Sequence, residues 1–216
     1  MRVFLVCLIL ALGCRLGWSE TFEETKVKAE KGDAGAQYNL GLKYSKGDGV
    51  PKNNTKAVEW YTKAAEQGDA EAQLNLGVMY NRGLGVPMNE SKAVEWYTKA
   101  AGQGNSMAQY NLGVMYGNGQ GVPKNDAKAV EWYTKAAEQG DASAQLYLGV
   151  MYAKCDGSPA NYVKAYAWAS NARTNGNENA KKLLDALTKL MTLEDISKAQ
   201  TLSTEIFERI KAQKKD

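Results

Sequence analysis

A chain of 216 residues without a single histidine has no Ser-His-Asp triad, no Cys-His nucleophile pair and no histidine-bound zinc. Its 27 lysines and arginines nearly balance its 24 aspartates and glutamates, and no block of like charge occurs apart from a short lysine-rich C-terminus. Neither nucleic acid nor an anionic membrane is therefore implied as a partner.

At the N-terminus Arg2 is followed by VFLVCLILAL, a run too short to span a bilayer comfortably, and then by small residues. Residues 1–19 are expected to be a secretory signal peptide, with Gly17 and Ser19 at the minus three and minus one positions of a cut before Glu20. A lipoprotein cut before Cys14 is the weaker alternative, because Gly13 suits it but Ala11 holds the position where a larger aliphatic residue belongs. Cleavage leaves 197 residues with 25 basic and 24 acidic side chains and Cys155 as the last cysteine. No internal disulfide is then possible, and stability has to come from packing. The mature chain is expected to be periplasmic or secreted, monomeric, and without a membrane span.

Residues 20–32 align with the second half of a unit that follows them, since KAEKGD matches KAAEQGD. They are expected to form a half-repeat helix. From there one pattern returns every 36 residues: AQYNLGLKY, AQLNLGVMY, AQYNLGVMY and AQLYLGVMY begin at Ala36, Ala72, Ala108 and Ala144. A fixed period of this size marks a solenoid of one stacked supersecondary unit. The units are expected at residues 33–68, 69–104, 105–140 and 141–176, the last one degenerate, with a pair of capping helices over 177–216.

Within the first unit Ala36, Leu40 and Tyr44 recur at helical spacing, and so do Ala57, Trp60, Tyr61, Ala64 and Ala65 in its second half. Asp33, Asp69, Asn105 and Asp141 stand where the first helices need N-caps, and Asn53, Asn89, Asn125 and Asn161 stand where the second helices need them. The turns KGDGVPKN, RGLGVPMN and NGQGVPKN lack the lysine and hydroxyl of a phosphate loop, so they read as turns. Glu59 and Lys63, Glu95 and Lys99, and Glu131 and Lys135 are spaced as helical ion pairs.

Gly41, Gly77, Gly113 and Gly149 fall inside the first helices, where glycine costs about 1 kcal/mol relative to alanine. Close approach of two helices is the expected reason, with Trp60, Trp96, Trp132 and Trp168 filling the space around it. Beyond the units, Thr192 and Asp195 mark the start of a last helix with Ile196, Ala199, Leu202, Ile206 and Ile210 as its apolar stripe.

The pattern A-x-x-x-LG-x-x-Y, then G-x-GV, then KA-x-x-WY-x-KAA-x-x-G resembles the Sel1-like repeat, a relative of the tetratricopeptide repeat. The resemblance implies an all-α, right-handed α-solenoid of helix-turn-helix units closed by a C-terminal helical cap. It also implies an adaptor whose groove receives a protein or peptide. A cysteine-rich branch of the family is linked to β-lactam binding or hydrolysis, but its paired cysteines are missing here. No S-x-x-K stretch occurs either.

On a helical wheel the residues opposite the Ala36, Leu40, Tyr44 stripe form the face that lines the concave groove in tetratricopeptide-like stacks. Tyr38, Leu42, Leu74, Val78, Arg82, Tyr110 and Val114 are the expected partner-binding residues. The function read from the sequence is a non-catalytic scaffold needing no cofactor or metal. The alternatives are a β-lactamase-like hydrolase or a self-assembling array.

Overall fold

The computed structural model describes residues 21–154 and 159–213; the expected leader, Cys14 and Cys155 lie outside the described residues. Among those described there are eleven helices and no strand. Helix α1 (Phe22–Glu30) comes first. Three helix pairs follow: α2 (Ala34–Lys46) with α3 (Asn54–Glu66), α4 (Ala70–Arg82) with α5 (Glu90–Gly102), and α6 (Ser106–Asn118) with α7 (Asp126–Glu138). A fourth pair, α8 (Ala142–Lys154) and α9 (Pro159–Thr174), leads to α10 (Ala180–Leu187) and α11 (Leu193–Gln213). From α1 to α9 each helix packs on the next, and α9 also carries α10 and α11, so the stack is a solenoid with a helical cover at its end.

The helix starts follow local chemistry. Asp33, Asp69, Asn105 and Asp141 each accept the backbone N–H three residues on, at 2.7 to 2.9 Å. Asn53, Asn89 and Asn125 do the same for α3, α5 and α7 at 2.9 Å. In each case one of the four orphan donors of a helix start is satisfied. At the far end Asp195 N donates to Thr192 Oγ1 (3.1 Å) while Thr192 Oγ1 donates to Asp195 Oδ2 (2.7 Å), the expected cap of α11. The fourth unit departs from the expectation: α9 begins at Pro159, so Asn161 lies inside its first turn and not before it. Proline's fixed φ and missing N–H suit the first helical position, which moves the start three residues upstream of the position after Asn161.

The turn glycines have a second task. A Cβ on Gly85, whose φ is +74°, would lie 2.4 Å from the carbonyl carbon of Asn54 and 2.6 Å from Thr55 N. The turn of the second unit thus rests directly on the N-terminus of α3, and only a residue without a side chain fits there.

The glycines inside the first helices are explained by tyrosine and not by the expected tryptophan. A Cβ on Gly41, Gly77 or Gly113 would lie 2.5 to 2.6 Å from the ring of Tyr61, Tyr97 or Tyr133. The preceding Trp60, Trp96 and Trp132 are turned by one helical step of about 100° and stay half-buried, with Lys63, Lys99 and Lys135 ammonium groups 4.0 to 4.2 Å from their ring centroids. That placement also changes the expected ion pairs. Lys135 reaches Glu131 at 2.7 Å, whereas Lys63 and Lys99 lie over the rings with no ion pair to Glu59 or Glu95. In the last unit Ala169 takes the tyrosine position, so Gly149 faces the Ala165 carbonyl instead. There Trp168 is buried in one cluster with Ile206 and Ile210 of α11.

A buried polar ladder runs through the stack. Gln37, Gln73, Gln109 and Gln145 are buried, and each Nε2 donates to a carbonyl of the preceding helix: Ala29, Ala65, Ala101 and Ala137, at 3.0 to 3.2 Å. Each Oε1 accepts from the side chain of the residue that ends the following helix: Gln67, Gln103, Gln139 or Asn175, at 2.7 to 2.9 Å. One side chain therefore ties three successive helices, and its polar atoms are all engaged.

Candidate functional site

The expected binding residues sit on α2, α4 and α6, and side-chain contacts join successive first helices, Glu71 of α4 to Asn105 at the start of α6 and Tyr110 of α6 to Tyr147 of α8. Tyr38, Leu42, Val78, Tyr110 and Val114 are half-buried and Arg82 is exposed. Leu74 is different: at 5% exposure it belongs to the core with Ala93, Val94 and Tyr97. It shapes the face from beneath and leaves little surface for a partner.

The tyrosines are the most structured part of this face. Tyr38 lies against Tyr61, with ring centroids 6.0 Å apart. Two units on, Tyr110, Tyr133 and Tyr147 form a trio with centroids 5.9, 5.7 and 5.5 Å apart; Tyr147 stacks on Tyr133 and meets Tyr110 edge-on. Tyr147 is 44% exposed, and Met107, one turn before Tyr110, is 55% exposed. The wheel did not select Tyr147, because its counterparts Asn39, Asn75 and Asn111 are polar and lie at the edge of the stripe. Its departure from asparagine in the fourth unit alone was the available signal.

Charge is sorted across the face. Asp33, Asp69, Glu71 and Asp141 lie at the N-terminal ends of the first helices, and Lys46, Arg82 and Lys154 at their C-terminal ends. Glu71 accepts from Asn105 Nδ2 at 2.7 Å, which ties the acidic edges of adjacent units together. Burial pushes the Tyr38 hydroxyl pKa upward, and the Glu71 carboxylate adds to the shift. Burial also raises Tyr110 to about 12, with Tyr147 and Asp141 adding to it. Tyr97 reaches about 12 through burial as well, and Tyr133 moves in the same direction. An acid whose folded pKa lies above its unfolded value of about 10 stabilises the fold fully below pH 10, and that contribution is lost as pH rises through the folded pKa. Denaturation midpoints are expected to fall between pH 10 and pH 12, in step with delayed tyrosinate absorbance; midpoints flat across that window would contradict the burial of these hydroxyls.

Among the described residues no three of His, Cys, Asp and Glu gather as a metal-binding group, and no helix is long and apolar enough to cross a membrane. The model of the Sel1 repeat matches four times, over residues 34–69, 70–105, 106–141 and 142–177. The chain belongs to the Sel1 repeat family. Its fold is that of solved Sel1 proteins. A protective antigen of uropathogenic Escherichia coli with an SLR fold is 41% identical over 88% of this chain and 41% of its own, with a TM-score of 0.80. A Sel1 repeat protein from Oxalobacter formigenes is 38% identical over 88% of this chain and 75% of its own, with a TM-score of 0.72. A sel1-like repeat-containing protein of Acanthamoeba polyphaga mimivirus is 49% identical over 43 residues, 20% of this chain. This Sel1 chain spans 41% of the Escherichia coli antigen's chain and 7% of the viral protein.

Proposed function

We propose that this Sel1 chain is a non-catalytic, exported adaptor that receives a protein or peptide partner on the face of its first helices. One observation carries the reading. In the first three units the second helices α3, α5 and α7 repeat the string KAVEWYTKAA unchanged, while the first helices α2, α4 and α6 differ from one another at positions 34, 35, 38, 42, 43, 45 and 46 and their counterparts. Apart from the buried Leu74, Met79 and Met115, the varying side chains are exposed or half-buried, where packing does not dictate the residue. Aromatic and arginine side chains there are the residue types that anchor interfaces. Export rests on the expected leader at residues 1–19, and the adaptor is proposed to act as a periplasmic or secreted monomer.

Crosslinking pull-down with the chain as bait supplies the partner, and three variants then test the face. Tyr110→Ala and Arg82→Ala are each expected to weaken partner binding by roughly 2 kcal/mol. Glu95→Ala, exposed on α5, should leave it unchanged. Circular dichroism first establishes that all three are folded. If both face variants bind as tightly as Glu95→Ala, recognition lies elsewhere on the solenoid.

A further inference from the structure

The sorted charges of the first-helix face say what shape of segment suits it. Glu71 and Arg82 lie at opposite ends of α4, eleven residues or about 16 Å apart along its axis at 1.5 Å per residue. Between the acidic and basic edges the surface is apolar or aromatic at Leu42, Val78, Tyr110, Val114 and the exposed Tyr147, and carries the uncharged amides Asn39, Asn75 and Asn111. Successive first helices meet through side chains, as Glu71 with Asn105 and Tyr110 with Tyr147 do; four of them, each roughly 10 Å or slightly more from the next, make a strip at least about 30 Å long, the length of a 20-residue helix.

From this charge complementarity we infer that the occupant is an amphipathic helix lying along the strip, basic on the flank that meets Asp33, Asp69, Glu71 and Asp141 and acidic on the flank that meets Lys46, Arg82 and Lys154. The inference rests on the reading of this face as the binding surface. A helix with side chains is 10 to 12 Å across, so long charged residues on its two flanks reach edges about 16 Å apart while its apolar stripe meets the centre. An extended segment turns alternate side chains to opposite faces, and half of them leave the strip altogether. Sorted charge also sets direction. Reversing the helix exchanges its flanks and places like charges together on both edges, so a sorted helix binds one way round.

The probe is a pair of 20-residue helical peptides of identical composition, each with a leucine stripe and a photo-crosslinker at its N-terminus. One carries lysine on one flank and glutamate on the other; the second carries both charges mixed on both flanks. With the purified full chain, the sorted peptide is expected to bind at least tenfold more tightly at low salt and to crosslink at one end of the strip, either α2 or α8. In the triple variant Lys46→Glu, Arg82→Glu, Lys154→Glu, all exposed positions, that preference and the single-ended crosslink should both disappear. Equal affinity for the two peptides, crosslinks at both ends, or absence of binding by either peptide overturns the inference. Tighter binding of an alternating extended peptide, or sedimentation as a dimer that protects the strip, overturns it in favour of a strand or a second copy. The two readings fail separately. If Tyr110→Ala and Arg82→Ala release the pulled-down partner but the sorted peptide shows no advantage, the face stands and the helical occupant falls. Should both variants keep the partner, the face itself falls.

Discussion

Gly113→Ala is expected to destabilise the chain by about 2 kcal/mol through overpacking, although alanine is favoured over glycine in a helix interior by about 1 kcal/mol. The new methyl carbon would lie 2.5 Å from Cδ1 and 2.6 Å from Cε1 of Tyr133. That ring is 3% exposed and packs against both Tyr110 and Tyr147, with centroids 5.9 and 5.5 Å away. Buried in this way, it has little room to swing. Relief must come from α6 and α7 moving apart, and interiors packed like crystals resist that. Tyr133→Leu in the same chain should recover part of the loss, because the two positions are in contact and their effects do not add. Lys135→Ala removes an ion pair and a ring contact from an exposed helix face, and a few tenths of a kcal/mol is the expected effect. Urea midpoints separate the cases; equal midpoints for Gly113→Ala and Lys135→Ala would remove the packing role from the glycine.

The same contact shows where a wheel argument stops. Trp60 and Tyr61 are neighbours in the sequence, both aromatic and both bordering an apolar stripe, so periodicity admits either as the residue over Gly41. The choice depends on how α3 is rotated about its own axis when it docks on α2. Tyr61 fills the narrow gap with a slimmer ring and brings its hydroxyl within 3.2 Å of Ser45 Oγ. Trp60 is left partly outside, where its broad face takes the Lys63 ammonium. Helix existence, spacing and caps were legible because they are set by residues within a few positions of each other. Partners across helices were not, since nothing local specifies them. The start of α9 is the exception on the local side, where Pro159 outweighs the asparagine that caps the other second helices.

The candidate face divides along the same line. Tyr38, Leu42, Val78, Arg82, Tyr110 and Val114 reach solvent to some degree, as the opposite side of a helical wheel requires. Leu74 does not, because Ala93, Val94 and Tyr97 close over it. Tyr147 was overlooked because its neighbours in the repeat are asparagines, and a stripe drawn from the repeat average carries polar residues at that angle. In a repeated architecture the average reports the fold, and a single unit's departure from it reports what differs at that place.

The glutamine ladder also went unread, since a polar residue after alanine in every unit looks like the solvated border of a stripe. Its burial leads to the second large effect. Gln145→Glu keeps the shape of a side chain that is 0% exposed but exchanges a donor for an acceptor. The Nε2 that donates to the Ala137 carbonyl at 3.0 Å becomes an oxygen facing that carbonyl, while Oε1 still accepts from Asn175 Nδ2. At pH 7 a carboxylate so placed is buried without a cation and repelled by its neighbour, and about 3 kcal/mol of stability is the expected loss. Burial and the carbonyl both favour the neutral acid, so its folded pKa lies above the unfolded value of about 4.3. Below the unfolded pKa the carboxyl is protonated in both states and its O–H again donates to Ala137; the penalty then grows as pH rises toward the folded pKa. Measured against the parent chain at each pH, the variant should be close to it near pH 4 and far below it at pH 7. A midpoint difference that is the same at both pH values would mean that the side chain has left the ladder for water, and that the glutamines do not hold the three helices together.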